Sequence, residues 1–343
     1  MNRQGPSGHW LVLSDRTAAE GCGVAHSPEI VESGMFVVEL ALPLDAPAVL
    51  LDFQSQNGWP RTFTLFHDPA TGFVLIHRQG QSVARHALPG PLPQHAGTGR
   101  LSLRFDAPGR VWDLRFTHLD AGETGSAPMV ARGQNPLPIR PDDLHGLSCP
   151  TARAARHRAV LWFGLTRDDD LPARAPWIGQ RTPVETSRGP VLAGHLKPGD
   201  LVATADGGLL PLRRVIPMEL PACGSFAPVI LRAPFFGNST DLLVAADQPL
   251  TLGGPEVEYL FGEDEVLVAA GALVDGRSAL SDQRRAVASV LRLEFDHPAL
   301  IMAEGCTLLI ARPGDAPPRR MLHSYEVLTL MSMMGRAGHR RSA

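Results

Sequence analysis

Side chains able to do chemistry are sparse along this 343-residue chain, and most of them stand where a turn is expected. The stretch DLLVAADQPLTLGG, residues 241–254, sets two apolar runs, Leu242 to Val244 and Leu250 to Leu252, on either side of the polar knot Ala246-Asp247-Gln248-Pro249. A histidine at such a bend can move a proton near neutral pH, whereas the Gln248 amide only donates and accepts hydrogen bonds. A second polar turn, His67-Asp68-Pro69-Ala70-Thr71-Gly72, combines with Trp59 and Trp112 into a candidate carbohydrate site. There the indoles would stack on a sugar ring, and the imidazole and carboxylate would bond its hydroxyls. Asp168-Asp169-Asp170 has the charge for calcium, but neighbouring residues point different ways and no glycine-rich calcium repeat accompanies it, so it reads as a solvated turn. Glu263-Asp264-Glu265 reads in the same way as a polar loop between buried strands. Cys22, Cys149, Cys223 and Cys306 are far apart with no CxxC spacing, which favours small buried hydrophobes over a zinc ribbon or a disulfide framework. No metal-ligand array, phosphate loop or GxSxG elbow is found, so neither a metal nor a cofactor is expected.

The elements that must position these residues are mainly strands. Hydrophobic residues make up 44% of the chain and charged ones 20%, enough apolar material for about two cores, while 34 glycines and 31 prolines favour a turn-rich architecture. The formal charge of −3 gives no support to a nucleic-acid partner, and only Lys197 among the 32 basic residues is a lysine. No run of about 18 apolar residues is available for a membrane span. The first residues do not read as a secretory signal, which leaves a cytoplasmic protein or one exported without a cleavable signal peptide.

From residue 10 to 120, short apolar runs alternate with turn signals. Thr62 to Phe66 and Phe73 to Ile76 predict one hairpin, and Arg100 to Phe105 with Val111 to Phe116 predict another. This rhythm fits an antiparallel β-sandwich over 1–125, similar in strand spacing to the concanavalin and laminin-G sandwiches. Residues 126–175 read as a linker or extended wrap, and 176–320 as a second β domain. Residues 321–343 read as an apolar segment followed by a frayed basic tail carrying Arg336, Arg340 and Arg341.

The second domain carries a family resemblance. TPVETSRGPVLAGHLKPGDLVATADGGLLPLRRV resembles the opening of the bacterial Hedgehog/intein, or Hint, domains, and APVILRAPFFGNSTDLLVAADQPL, LFGEDEVLVAAGALVDG and FDHPALIMAEG resemble its later segments in order. The resemblance implies an all-β horseshoe fold and a self-processing reaction. In that reaction a cysteine or serine attacks the preceding carbonyl, and a Thr-x-x-His or Ser-x-x-His element supplies the proton. Carried over one at a time, the nucleophile position falls on Trp177, the hydroxyl on Ala245 and the histidine on Gln248, none of which has the required chemistry. His297, in Phe295-Asp296-His297-Pro298, matches a histidine that the subfamily often carries. The resemblance thus implies a degenerate site in a domain retained as a scaffold for binding or assembly with a protein or glycan partner. Two alternatives stand beside it: autoprocessing through a substitute among Cys149, Cys223, Thr182, Thr186 and Ser187, and carbohydrate binding by the first domain.

Overall fold

The computed structural model describes residues 10–14, 30–119, 127–148, 154–168, 171–172, 174–282, 284, 287–312 and 314–340, the last six of these by backbone alone. Strand occupies 50% of the structure and helix 12%, the mainly β class expected from the turn-rich composition. The chain divides into two compact units. The first holds the described residues of His9–Leu171 together with Cys223–Ser225, and the second those of Pro172–Ala222 and Phe226–Ala343.

The first unit is a sandwich of two antiparallel sheets. One contains, in spatial order, β1 (Trp10–Leu13), β11 (Val160–Thr166), β2 (Ser33–Leu42), β7 (Gly97–Asp106), β8 (Val111–His118) and β9 (Met129–Gln134). The other contains β10 (Ala154–Arg156), β3 (Ala48–Ser55), β4 (Arg61–Asp68), β5 (Gly72–Gln79) and β6 (Ser82–Pro89). Period-2 alternation turns Phe63 and Leu65 of β4, Phe73 and Leu75 of β5, and Leu101, Leu103 and Phe105 of β7 into one shared core. Both expected hairpins form, with Asp68 opposite Gly72 and Phe105 opposite Trp112.

The β4–β5 turn depends on one glycine. Gly72 has φ +100°, and a Cβ there would collide with the Leu88 carbonyl oxygen across the sheet. Gly72→Ala is therefore expected to cost about 2 kcal/mol, read as a lowered urea midpoint. No loss would show that this turn relaxes freely.

Residues 126–175 correct the linker expectation. They supply β9, helix α1 (Pro141–Ser148), β10 and β11, and β11 lies inside its sheet between β1 and β2. Its sequence VLWFGLT is buried along almost its whole length, so it shows no alternation from which a strand could be recognised. Helix α1 places Leu144 and Leu147 in the core, and Asp143 in its first turn pairs with Arg61 at 2.9 Å.

The second unit is built from three antiparallel sheets. The largest runs β17 (Arg214–Pro221), β23 (Val287–Glu294), β12 (Ile178–Gly179), β19 (Leu242–Val244), β18 (Val229–Leu231) and β22 (Ala279–Ser281). A second runs β14 (Gly189–Leu192), β13 (Pro183–Thr186), β15 (Leu201–Ala203) and β16 (Leu209–Pro211). The third runs β21 (Glu265–Ala269), β20 (Pro249–Gly253), β25 (Cys306–Ile310) and β24 (Ala299–Ala303). Ile178, Val184, Val244, Leu250, Leu291 and Leu308 meet in a single core drawn from all three sheets.

Among the described residues two α-helices complete this unit. Helix α2 (Pro255–Phe261) begins with proline, whose missing N–H is one that a helix start leaves unbonded in any case, and stops at left-handed Gly262. Helix α3 (Ser324–Arg340) takes in Arg336 and Arg340 of the tail expected to be frayed, while Arg341 lies outside the described residues. Val327, Leu330, Met331 and Met334 recur at helical spacing and pack on the core, and the Glu326 carboxylate accepts the His323 N–H at 2.9 Å to close the first turn.

Candidate functional site

The three positions singled out from the sequence come together around β12. This strand is only two residues long, yet it lies between β19 and β23, with Ile178 opposite Val244 on one side and Leu291 on the other. Its apolar side chain enters the core, so Trp177 immediately before it is held at the middle of the sheet and is 1% exposed. The Ala245 N–H donates to the Trp177 carbonyl at 3.1 Å, extending the pairing by one residue past Ile178.

After Ala245 the chain reverses. The Gln248 N–H donates to the Ala245 carbonyl at 3.1 Å, while the Ala246 and Gln248 carbonyls accept from Gly271 and Ala270 at 2.7 and 2.9 Å. The turn is thus fixed by backbone bonds on both sides. Gln248 is fully buried, and its Nε2 donates to the Leu309 carbonyl at 2.7 Å and to the Pro249 carbonyl at 3.1 Å. Two acceptors on the amide nitrogen fix which end is nitrogen and lock the side chain in place. Its Oε1 and the Trp177 Nε1 are both buried without a hydrogen-bond partner among the described residues.

A further tie flanks the same bend. Arg174 Nη2 lies 2.7 Å from Asp247 Oδ2 and 2.9 Å from Oδ1, which fastens the segment before Trp177 to the turn. Sequence reading missed this pair because opposite charges 73 positions apart leave no local signal. Together, Arg174–Asp247 and Ala245–Trp177 hold the chain on both sides of residues 175–176.

Packing and backbone bonds thus fix Trp177, Ala245 and Gln248 in place. Indole has no nucleophilic atom for acyl transfer, and the buried amide of Gln248 has no proton to give at neutral pH. Among the substitute nucleophiles, Thr182 Oγ1 is buried without a partner among the described residues, and Thr186 Oγ1 donates to the Gly189 carbonyl at 2.7 Å. Ser187 follows in the same turn, with its N–H bonded to the Leu201 carbonyl. Cys223 belongs to the first unit, and Cys149, like Cys22, lies outside the described residues. The remaining cysteine, Cys306, is 1% exposed, and burial pushes its thiol up to about 12, so it stays protonated and inert.

His297 is elsewhere. It is exposed in the turn between β23 and β24, six residues beyond Leu291, and the carboxylate of its neighbour Asp296 is engaged by Arg213 Nε at 2.8 Å. That guanidinium holds Asp296 below the usual carboxylate range. Of the acidic clusters, Glu265 pairs with Arg319 at 2.9 Å, and Asp168 accepts from the Thr166 hydroxyl while Asp169 and Asp170 lie outside the described residues. Among the described residues no group of three His, Cys, Asp or Glu side chains is placed to hold a metal ion.

The four residues of the candidate sugar site do not share a rim. Trp59 precedes β4, is 47% exposed and lies under Arg140, whereas Asp68 closes the opposite end of that strand, about 23 Å away for an eight-residue extended segment. Asp68 Oδ1 accepts the N–H groups of Ala70 and Thr71, both at 2.9 Å. His67 shares the strand parity of Phe63 and Leu65, so it turns inward against Phe73, and burial lowers its pKa. Trp112 is half-buried with its ring on His86, 4.8 Å between centroids.

The family model of the Hint domain, Hint_2, fits residues 179–309, so it starts two residues after Trp177 and spans Ala245, Gln248 and His297. No curated protein matches the chain.

Proposed function

We propose that this chain, which contains a Hint domain and thereby belongs among the self-processing proteins of that family, has lost the cleavage reaction and uses the domain as a scaffold for binding or assembly. One observation carries the reading. By the family resemblance the nucleophile, hydroxyl and proton-donor positions fall on Trp177, Ala245 and Gln248, and the structure has each of these residues serving the fold. Trp177 supplies a buried ring, Ala245 a backbone bond to the Trp177 carbonyl, and Gln248 a locked amide. Without a nucleophile no ester or thioester forms, and without a proton donor the amide nitrogen does not leave.

Intact-mass measurement of freshly purified chain tests this. A single species at 36.9 kDa, unchanged after incubation with hydroxylamine or thiol, is expected. Two fragments cut at the peptide bond before Trp177 would overturn the reading and restore autoprocessing.

A further inference from the structure

The second unit contains a cleft of about 720 Å³ on the face of its largest sheet that points away from the core. Val229, Leu231, Leu242 and Val244 are core residues, so the alternation of β18 and β19 turns Ile230 and Leu243 to the other side, where both line the cleft with Leu280 of β22. Register places these three in one transverse row, Leu243 opposite Ile230 and Ile230 opposite Leu280. Each is half-buried, and together they make an apolar floor about 10 Å across at ordinary strand spacing. Gly179 continues the row without a side chain, since a Cβ there would stand 2.9 Å from that of Leu243.

The rim is polar and unequally paired. Asp282 is occupied by Arg284, Nε to Oδ1 at 2.7 Å, and Asp241 Oδ1 accepts the Ala233 N–H at 2.9 Å. Arg181 and Arg232 also line the cleft, both are exposed, and neither forms an ion pair with any described residue. An apolar floor with the exposed arginines Arg181 and Arg232 and the Asp241 carboxylate at its rim, in a volume within the range of small-molecule sites, selects a ligand by shape and charge together.

From this we infer that the cleft binds an amphiphile with an unbranched apolar body and an anionic head, the body on Leu243, Ile230 and Leu280 and the head between Arg181 and Arg232. The inference gives the binding role proposed above a ligand class, and it rests on that reading only for its place in the protein's function. Intact mass decides the loss of cleavage and titration decides the ligand, so the two fail separately.

Isothermal titration of the full chain with decanoate, below its micelle concentration, is the test. Saturable one-to-one binding is expected, at least tenfold tighter than for acetate, which lacks the body, or decyltrimethylammonium, which reverses the head. The R181A/R232A double variant, with both changes on the surface, is expected to weaken decanoate at least tenfold with an unchanged melting temperature. Decyl phosphate distinguishes the heads: tighter binding than decanoate assigns a phosphate, weaker binding a carboxylate, and both keep the anionic site. Absence of saturable heat with both anions, equal affinity for the cationic amphiphile, or full affinity in the double variant overturns the inference.

Discussion

Between pH 7.5 and pH 5 the first unit is expected to lose about 4 kcal/mol of stability, through two histidines in the core of its sandwich. His77 of β5 and His86 of β6 are 2% and 1% exposed. Burial, with the neighbouring His86, lowers the His77 pKa to about 3, and burial lowers that of His86 to about 4, from 6.5. The rings of Phe63 and Trp112 pack edge-on against the two imidazoles, and Gln79 Nε2 lies 3.2 Å from His77 Nε2. Folding thus holds both imidazoles neutral while the unfolded chain protonates them from pH 6.5 downwards. The unfolded state binds the extra protons, so stability is complete above pH 6.5 and falls as the pH drops towards the folded values. At pH 5 each group contributes about 2 kcal/mol to the loss. Asp143 opposes this at lower pH, because burial raises its pKa and its protonation favours the folded state. Urea midpoints at the two pH values measure the effect. In an H77L/H86F chain the difference is expected to shrink to less than half, and an unchanged difference would sink the assignment.

Replacing Trp177 by alanine is expected to destabilise the second unit by about 3–5 kcal/mol, the usual cost of deleting a buried aromatic side chain. The indole is 1% exposed, so truncation leaves a cavity that the backbone bonds around Ala245 and Gln248 prevent from collapsing. Trp177→Phe is expected to cost less than about 1.5 kcal/mol, because the ring remains and Nε1 gives up no bond to a described residue. Trp177→Cys is the sharper comparison. It places a thiol where the family resemblance puts the nucleophile, yet it is expected to lose stability like the alanine variant and to give no thiol-sensitive fragment, since Ala245 and Gln248 supply neither hydroxyl nor proton. Denaturant midpoints and intact masses of the three variants check the whole series. A loss below about 1 kcal/mol in W177A would mean that position 177 is not held by packing.

Legibility in the sequence followed the physics of each element. The β4–β5 and β7–β8 hairpins were readable because one face meets the core and the other meets solvent, leaving alternation bounded by turn residues. Strand β11 was not, since burial on both faces erases alternation, and β12 is too short at two residues to carry a pattern. Helix α3 did carry one, Val327-Leu330-Met331-Met334, which the basic residues beyond it obscured. For His67 the polar turn that follows it competes with its parity with Phe63 and Leu65, and the parity, which points it inward, prevails. Trp177, Ala245 and Gln248 were legible as a set through the family resemblance. The bonds that engage them were not, because Ala245–Trp177 and Gln248–Leu309 join segments distant in the chain.

The shortness of β12 also determines how the second unit bears load. Tension along the chain from upstream of Pro172 reaches this unit through Arg174 and Trp177 and then through a strand of two residues paired on both edges. A strand paired on both edges and pulled along its length resists in shear, with several hydrogen bonds strained at once rather than peeled one by one. Paired in this way, β12 is expected to anchor the second unit under load, read as a force peak in a pulling experiment.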